Sequence, residues 1–413
     1  MDVVRGLCSF EGRLAGTDAE RRAANWLAGR LREQGRRAEV EPTYVHPQYG
    51  LVHAVHCLLG VAGSLLAVVE PAAGFALVLA AATSMYLDVN GRLYLVRTLF
   101  FRRASQNVVS PGPQPDAPLR LVLCAHYDAA RTGAVFATAR ARRAAALSRR
   151  LRVPVGGFRV LFWSLAVLLP LLGLRMAGID ANAIGLIQLL PTVALLVGVF
   201  ALVDIELSDV VPGANDNASG VAAALSLADE LGRDPPEGLD VWVLLTGAEE
   251  CQQEGMRAYL RAHRRELDRE RTAFLCLEAV GRGDPRFEVS AGWAVSFDLD
   301  RRLVELATAV ADAARDGDGR FGASPTRRDD AGDSLPPRLR RFRSLGIVGQ
   351  DDSGTTPGRH LPTDTPERID PGSLRRAHDF ALELIRALDR DARRESAAGP
   401  GDAAPARPAA RAR

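Results

Sequence analysis

Lysine is missing from this chain. All 52 basic residues are arginine, set against 50 acidic ones over 413 positions. The near balance removes any excess of positive charge, and with it the reason to expect a nucleic-acid partner. Cysteine is scarce and odd in number: Cys8, Cys57, Cys124, Cys251 and Cys276. No two have the spacing of a zinc ribbon, so reduced thiols are expected. The opening Met-Asp-Val-Val-Arg-Gly lacks a basic-then-apolar pattern, so no cleaved signal peptide is expected. There is no internal repeat beyond a pair of apolar hairpins.

Those hairpins are the largest compositional feature. Leu51–Val69 and Ala72–Leu87 are almost purely apolar and are split by Glu70-Pro71. Phe158–Leu174 and Ala183–Val203 form a second pair, split by Arg175–Asp180. Each run approaches the ~20 apolar residues a membrane helix needs. Four such runs are hard to hide in one soluble core, so two transmembrane hairpins are expected, at residues 51–89 and 158–203. Hairpins return the chain to the side it left. The flanks on that side carry Arg92, Arg97, Arg102 and Arg103, then Arg140, Arg142, Arg143, Arg149, Arg150 and Arg152. The positive-inside tendency therefore places the remainder in the cytoplasm, on a multi-pass protein held in a lipid bilayer.

The remainder, residues 1–50, 90–157 and 204–389, reads as one discontinuous α/β domain. Thr17-Asp18-Ala19-Glu20 is a capping box that opens a helix ending near Gly35. Arg120–Ala125, Leu239–Leu245, Thr272–Leu277 and Ser344–Gly349 are short apolar strands. They alternate with helices at Gly220–Leu231, Met256–His263, Leu303–Ala314 and Leu374–Leu388. That alternation predicts a mixed, mostly parallel sheet with helices on both faces. Ser110–Pro118 and Asp316–Arg341 are expected as surface loops, and residues 390–413, rich in Ala, Pro, Gly and Arg, as a disordered tail.

His126, Glu250 and Glu278 lie at or just past the C-terminal ends of three of these strands, the edge where open α/β sheets bind ligands. Asp216 sits in the Gly/Asn-rich turn Pro212–Gly220, which lets backbone approach an ion closely. His360 lies in a loop after the last strand. Alone, each has an ordinary reading: a helix cap, a satisfied core histidine, a solvated acidic pair or a surface histidine. Together, histidines and carboxylates without cysteine form a donor set for zinc, or for manganese or cobalt. Asp128, two residues beyond His126, can hold the second imidazole nitrogen. Glu249 and Glu250 are neighbours on extended backbone and point opposite ways, so one can ligate while the other faces water. His263 and His378 read as members of charged helical faces, His46, His53 and His56 as interfacial, and Cys251 as a packing residue.

The stretches His126-Tyr127-Asp128, Gly213–Gly220, Thr246–Glu250, Glu278–Gly281 and His360–Thr365, in this order, resemble the co-catalytic di-zinc aminopeptidase family. That family is related to bacterial leucine aminopeptidases, glutamate carboxypeptidase and glutaminyl cyclase. The resemblance spans roughly Gly12 to Leu388 apart from the hairpins. It implies a zinc-aminopeptidase-like fold and a metallo-aminopeptidase acting on peptides. It further implies that Asp216 bridges two zinc ions. His126 and Glu278 would complete one site, and Glu250 and His360 the other. Glu249 would be the general base and Asp128 would orient His126. The Asp216–Asn217 peptide is expected to be cis, as in relatives. Two departures stand out. Glu278 replaces the family's usual Asp, and Cys251-Gln252-Gln253-Glu254-Gly255 replaces its usual short Gly-rich run. A glutaminyl-cyclase-like acyltransferase and a catalytically silent membrane scaffold are the alternatives.

Overall fold

The computed structural model describes residues 1–151, 156–179 and 182–398. In chain order the elements are α1 (Asp2–Cys8), α2 (Asp18–Glu33), β1 (Glu39–Val45), α3 (Tyr49–Leu66), α4 (Pro71–Val89), β2 (Arg103–Ser110) and β3 (Leu119–His126). Then follow α5 (Thr138–Leu151), α6 (Gly157–Met176), α7 (Asn182–Leu207), α8 (Gly220–Arg233), β4 (Leu239–Thr246), α9 (Glu254–Ala262) and β5 (Thr272–Glu278). The chain closes with β6 (Asp284–Ala291), β7 (Phe297–Asp298), α10 (Arg301–Asp316), β8 (Ser324–Arg327), α11 (Leu335–Leu339), β9 (Arg343–Gln350) and α12 (Pro371–Ala398).

The strands make one mixed sheet in the order β1-β2-β4-β3-β5-β9-β6-β7, with β8 beside β6. Its centre, β4-β3-β5-β9, is parallel. The flanks β1, β2 and β6 join antiparallel. Strand alternation divides the core between two faces. On β3, Leu121, Leu123 and Ala125 pack with α2, α8 and α12, while Val122 and Cys124 pack with α9 residues Met256, Tyr259 and Leu260. The expected fold class is therefore found, with both faces covered. Thr17 caps α2 by accepting from the Glu20 amide at 3.2 Å, as the capping box predicts.

α3, α4, α6 and α7 are long and apolar enough to cross a membrane. They pack on one another through a shared core that includes Cys57, Val78, Met85, Leu165, Leu168 and Leu195. Small residues permit the approach: a Cβ at Gly60 would lie 2.3 Å from a Leu165 methyl. The opposite faces carry bare apolar side chains, with Leu186, Leu190 and Phe200 69–76 % exposed. Such a face suits lipid rather than water. α4 and α7 run past the sequence boundaries and take in Asp88, Asp204 and Glu206. Asp88 is tolerated because it is fully buried against Arg97.

Three sequence expectations change. Asp316–Arg341 is not a surface loop: it holds β8 and α11, and Arg328, Ala331, Asp333 and Ser334 are buried. Its charged residues pair internally, a pattern that composition does not separate from solvation. Residues 390–398 continue α12 rather than starting a disordered tail, and Asp391 and Ala392 are buried. The rest of the expected tail, like Arg152 and Asp180, lies outside the described residues. His53 and His56 are fully buried rather than interfacial, in contact with Gln252 and Ser84.

Candidate metal centre

Because β4, β3 and β5 are adjacent and parallel, their C-terminal ends share one edge. That geometry brings His126, the Glu249-Glu250 pair and Glu278 together. The Asp216 turn is stitched to the same edge by two asparagines. Asn217 donates to Leu277 O at 2.8 Å and accepts from Ala279 N at 2.9 Å, and Asn215 accepts from Gly281 N at 2.9 Å. Gly220 is required here, since a Cβ would stand 2.2 Å from the Asn217 side-chain oxygen and 2.4 Å from Leu277 O. The Asp216–Asn217 peptide is cis, as expected. Asp364 accepts from the amides of Asn215 and Asp216 at 2.8 and 3.0 Å. Buried Arg13 donates to the carbonyls of Tyr127, Pro212 and Gly213, which ties the His126 segment to the Asp216 turn.

Several site residues adopt backbone conformations that side-chain-bearing residues seldom hold. Ala248, Gln252, Gln253, Ala279 and His360 all have φ between 49° and 70°. Such conformations persist only where the surroundings enforce them, and they cluster at functional sites.

Four predicted ligands converge. His126 Nε2 lies 3.3 Å from Asp216 Oδ1. His360 Nε2 lies 3.4 Å from Asp216 Oδ2 and 3.2 Å from Glu250 Oε2. Oxygen and nitrogen ligands held ~2.0–2.2 Å from a tetrahedral zinc sit about 3.3–3.6 Å from one another, so these separations suit a shared cation. His126, Asp216 and Glu250 each offer a ligand atom within 4.8 Å of the others. Both ring nitrogens of His126 and of His360, both Asp216 oxygens and Glu250 Oε1 are buried with no hydrogen-bond partner in the protein. Leaving a buried polar atom unpaired costs about 1–3 kcal/mol, and folded domains have only about 5–15 kcal/mol in total. A cation can take one nitrogen of an imidazole together with Asp216 and Glu250 oxygens, so His126, Asp216 and Glu250 fit a metal, and His360 borders the same site 3.2 Å from Glu250.

Glu278, the fifth predicted ligand, stands apart. Arg328 grips it in a two-pronged pair, Nη2 to Oε1 at 2.7 Å and Nη1 to Oε2 at 2.8 Å. Arg328 also donates to Glu288 at 2.8 Å and to Asp330 at 2.6 Å. Arg359 sits over the same region. Its Nε is 3.5 Å from Asp216 Oδ2, its Nη2 is 3.9 Å from Glu278 Oε1, and its Nη1 pairs with Asp330.

Glu249 reaches toward His126, with Oε2 3.8 Å from Nε2. Burial, with the carboxylates of Glu250, Glu278 and Asp333, pushes its carboxyl well above the usual range, against the pull of His126. Asp216 goes the other way. Burial opposes its ionisation, yet His126, His360 and Arg359 hold it well below the ordinary value. Burial is also the main force that lifts Asp333 to about 7. Asp128 faces His126 Nδ1 at 3.4 Å. Its stronger contacts are elsewhere: it accepts from the amides of Glu249 and Glu250, each at 3.1 Å, and so fixes the loop that carries the base.

Sequence reading missed several supporting residues. Gln253 donates to Glu249 Oε1 at 3.0 Å and to Ala331 O at 2.8 Å, and accepts from Trp293 Nε1 at 3.2 Å. Arg97, buried and not a free flank, binds Asp88, Glu254 and Gln252, and so joins α4 to the loop after Glu250. Phe136 packs edge-on to His360, with ring centroids 4.4 Å apart. A glutamine or arginine in a polar run carries no sequence pattern that separates it from a solvated one. Cys251 packs among Ala15, Val45 and Ala248, and among the described residues all five cysteines are free thiols.

Residues 197–385 match the profile of peptidase family M28, a segment that includes Asp216, Glu249, Glu250, Glu278 and His360. No curated protein sequence matches the chain. Among solved structures, a Zn-dependent exopeptidase from Parabacteroides distasonis is similar at 15 % identity and a TM-score of 0.53, over 93 % of this chain and 95 % of its own. A leucine aminopeptidase precursor from Bacteroides thetaiotaomicron is similar at 17 % identity and a TM-score of 0.51, over 93 % and 94 %. A glutaminyl cyclase from the same organism, bound to N-acetylhistamine, is similar at 16 % identity and a TM-score of 0.52, over 93 % and 95 %. At these identities the likeness is one of fold, and together with the family match it meets the resemblance drawn from the motifs.

Proposed function

We propose that this chain, whose residues 197–385 match peptidase family M28, is a membrane-anchored, zinc-dependent exopeptidase that removes N-terminal residues from peptides. One observation carries the reading: His126, Asp216, Glu250 and His360 converge as buried, unpaired ligand atoms, with Glu249 beside them and otherwise free of that role. These four residues would hold the zinc; manganese or cobalt suits the same donors. When bound, zinc supplies Lewis-acid polarisation of the scissile carbonyl and a more acidic attacking water.

The protein's own groups do the rest. Glu249 takes the proton from water as it attacks and returns it to the leaving amine, which needs a carboxyl whose pKa lies nearer the operating pH than an exposed glutamate's. Gln253 and the Asp128-anchored amides fix the direction in which Glu249 points.

The four apolar helices support anchoring in a bilayer. The exposed arginines of α5, together with Arg92, Arg102 and Arg103, support a cytoplasmic catalytic domain. A glutaminyl-cyclase-like activity is the second reading, because a cyclase shares the fold to the same degree. The test is the full chain purified in detergent and given zinc, with short peptides bearing free, acetylated or Gln N-termini. Release of the first residue from free N-termini alone is expected. Cyclisation of the Gln peptide with loss of ammonia selects the second reading, and no turnover of any peptide overturns both.

A further inference from the structure

We infer that this site holds one metal ion rather than two, and that the guanidinium groups of Arg328 and Arg359 supply the positive charge where a second cation would otherwise lie. The inference rests on the reading of the pocket as a zinc site and changes its stoichiometry.

The argument begins with Glu278. A second ion would need it, together with His126 and Asp216, yet both of its oxygens are engaged by Arg328 at 2.7 and 2.8 Å. None of its oxygens is among the buried unpaired atoms, whereas Asp216, Glu250 and both histidines contribute such atoms. The two-pronged pair is built into the surrounding backbone. At Gly332 a Cβ would stand 2.1 Å from Glu278 Oε2, so any side chain there would displace the carboxylate. At Gly346 a Cβ would stand 2.2 Å from Glu288 Oε2, the other glutamate that receives Arg328 Nη1. Two glycines therefore clear the space in which Arg328 is caged. The Arg328 side chain is 3 % exposed, and Glu278, Glu288 and Asp330 surround it.

Charge points the same way. Guanidinium is a permanent cation whose planar fork matches a carboxylate. Arg359 adds a second one, with Nε 3.5 Å from Asp216 Oδ2 and Nη2 3.9 Å from Glu278 Oε1. A divalent ion placed between Asp216 and Glu278 would face two fixed positive groups and would have to break a buried bidentate pair. Breaking such a pair is strongly unfavourable. Glu in place of the shorter Asp gives the carboxylate the reach to meet Arg328.

The test uses the zinc-loaded full chain in detergent, freed of excess metal, with zinc measured per chain by elemental analysis and zinc neighbours by X-ray absorption. One equivalent is expected, with no zinc–zinc scattering at the ~3.5–4 Å of two-metal sites. Two equivalents, or a zinc–zinc distance in that range, overturns the inference. Glu278→Gln is expected to keep one equivalent, with chelator-competition affinity lowered by no more than about 100-fold. Losing a group that only orients a ligand costs about 10–100-fold in metal affinity, so a loss beyond about 100-fold on this change marks Glu278 as a ligand and sinks the inference. The absorption measurement needs no variant and decides the matter if Glu278→Gln fails to fold. None of these readouts depends on turnover. A one-zinc protein inactive on all peptides leaves this inference standing and removes the peptidase reading.

Discussion

Gln253 donates its side-chain amide to the carboxylate of Glu249 at 3.0 Å while its own oxygen accepts from Trp293 at 3.2 Å. Gln253 therefore fixes both the position and the orientation of the proposed base, and Trp293 fixes Gln253. Trp293 in turn packs on Phe158 of α6, with ring centroids 5.2 Å apart. Gln253→Leu removes the donor but keeps most of the bulk. The expected result is a fall in kcat of about 10–100-fold, as for other groups that orient site residues, with KM little changed and zinc content unaltered. Steady-state kinetics beside elemental analysis checks it.

Glu249→Gln keeps the shape and removes the base. General acid–base groups contribute about 10²–10⁴-fold, so kcat should fall by that factor with one zinc still bound. A variant that remains fully active would remove Glu249 from the mechanism.

His360→Ala removes a residue whose Nε2 lies 3.2 Å from Glu250 and 3.4 Å from Asp216. It also leaves those carboxylates unopposed on that side. Zinc affinity, read by chelator competition, is expected to fall well beyond tenfold, and activity should be lost in parallel.

How far the site was legible follows from the kinds of residue involved. Strand ends and ligand types carry a pattern, because an apolar run that stops at His126 or Glu278 places a polar group on the ligand-binding edge. The Gly/Asn turn around Asp216 was readable for the same reason: small and amide side chains permit tight backbone approach. What escaped was charge paired with charge. Arg328 and Asp333 lie in an Asp/Arg-rich stretch that composition assigns to solvent, and only the fold shows that they are buried. Strands β2, β6 and β8, outside the parallel centre, carry Arg, Ser, Gln and Glu between their apolar positions, which blurs the alternation that reveals a strand. The apolar runs of α4 and α7 were read to Leu87 and Val203 because Asp88 and Asp204 look like boundaries until their partners, Arg97 and the Ala134 amide, are known.

Asp88 and Arg97 make a further case. Both are fully buried, and Arg97 Nη2 lies 2.6 Å from Asp88 Oδ1 and Nη1 3.0 Å from Glu254 Oε1. Breaking a buried pair by removing one partner costs about 3–5 kcal/mol. Arg97→Gln should therefore lower the thermal unfolding midpoint sharply. The double change Arg97→Gln, Asp88→Asn should recover part of the loss, since it leaves less uncompensated charge. Unfolding scans of the three proteins in one detergent decide it.

His263 gives a pH prediction remote from the metal. The Glu41 carboxylate, 2.9 Å from Nε2, lifts its imidazole from 6.5 to about 9, helped by Glu266 and opposed by partial burial. A raised folded-state pKa means that the folded protein holds the proton more tightly. The stabilisation is then complete below about pH 6.5 and is lost as pH rises through 9. His263→Gln should lower the unfolding midpoint at pH 6 and have little effect at pH 10. Equal effects at both values would contradict the pairing.

The bridge from Asp88 through Arg97 to Glu254 means that the first apolar hairpin and the candidate metal site rest on one foundation. Excising residues 51–89 to obtain a water-soluble enzyme would strip Arg97 of a counter-charge beneath the very loop that presents Glu249 and Glu250. Hairpin and ligand-bearing loop are thus inseparable parts of one folded body.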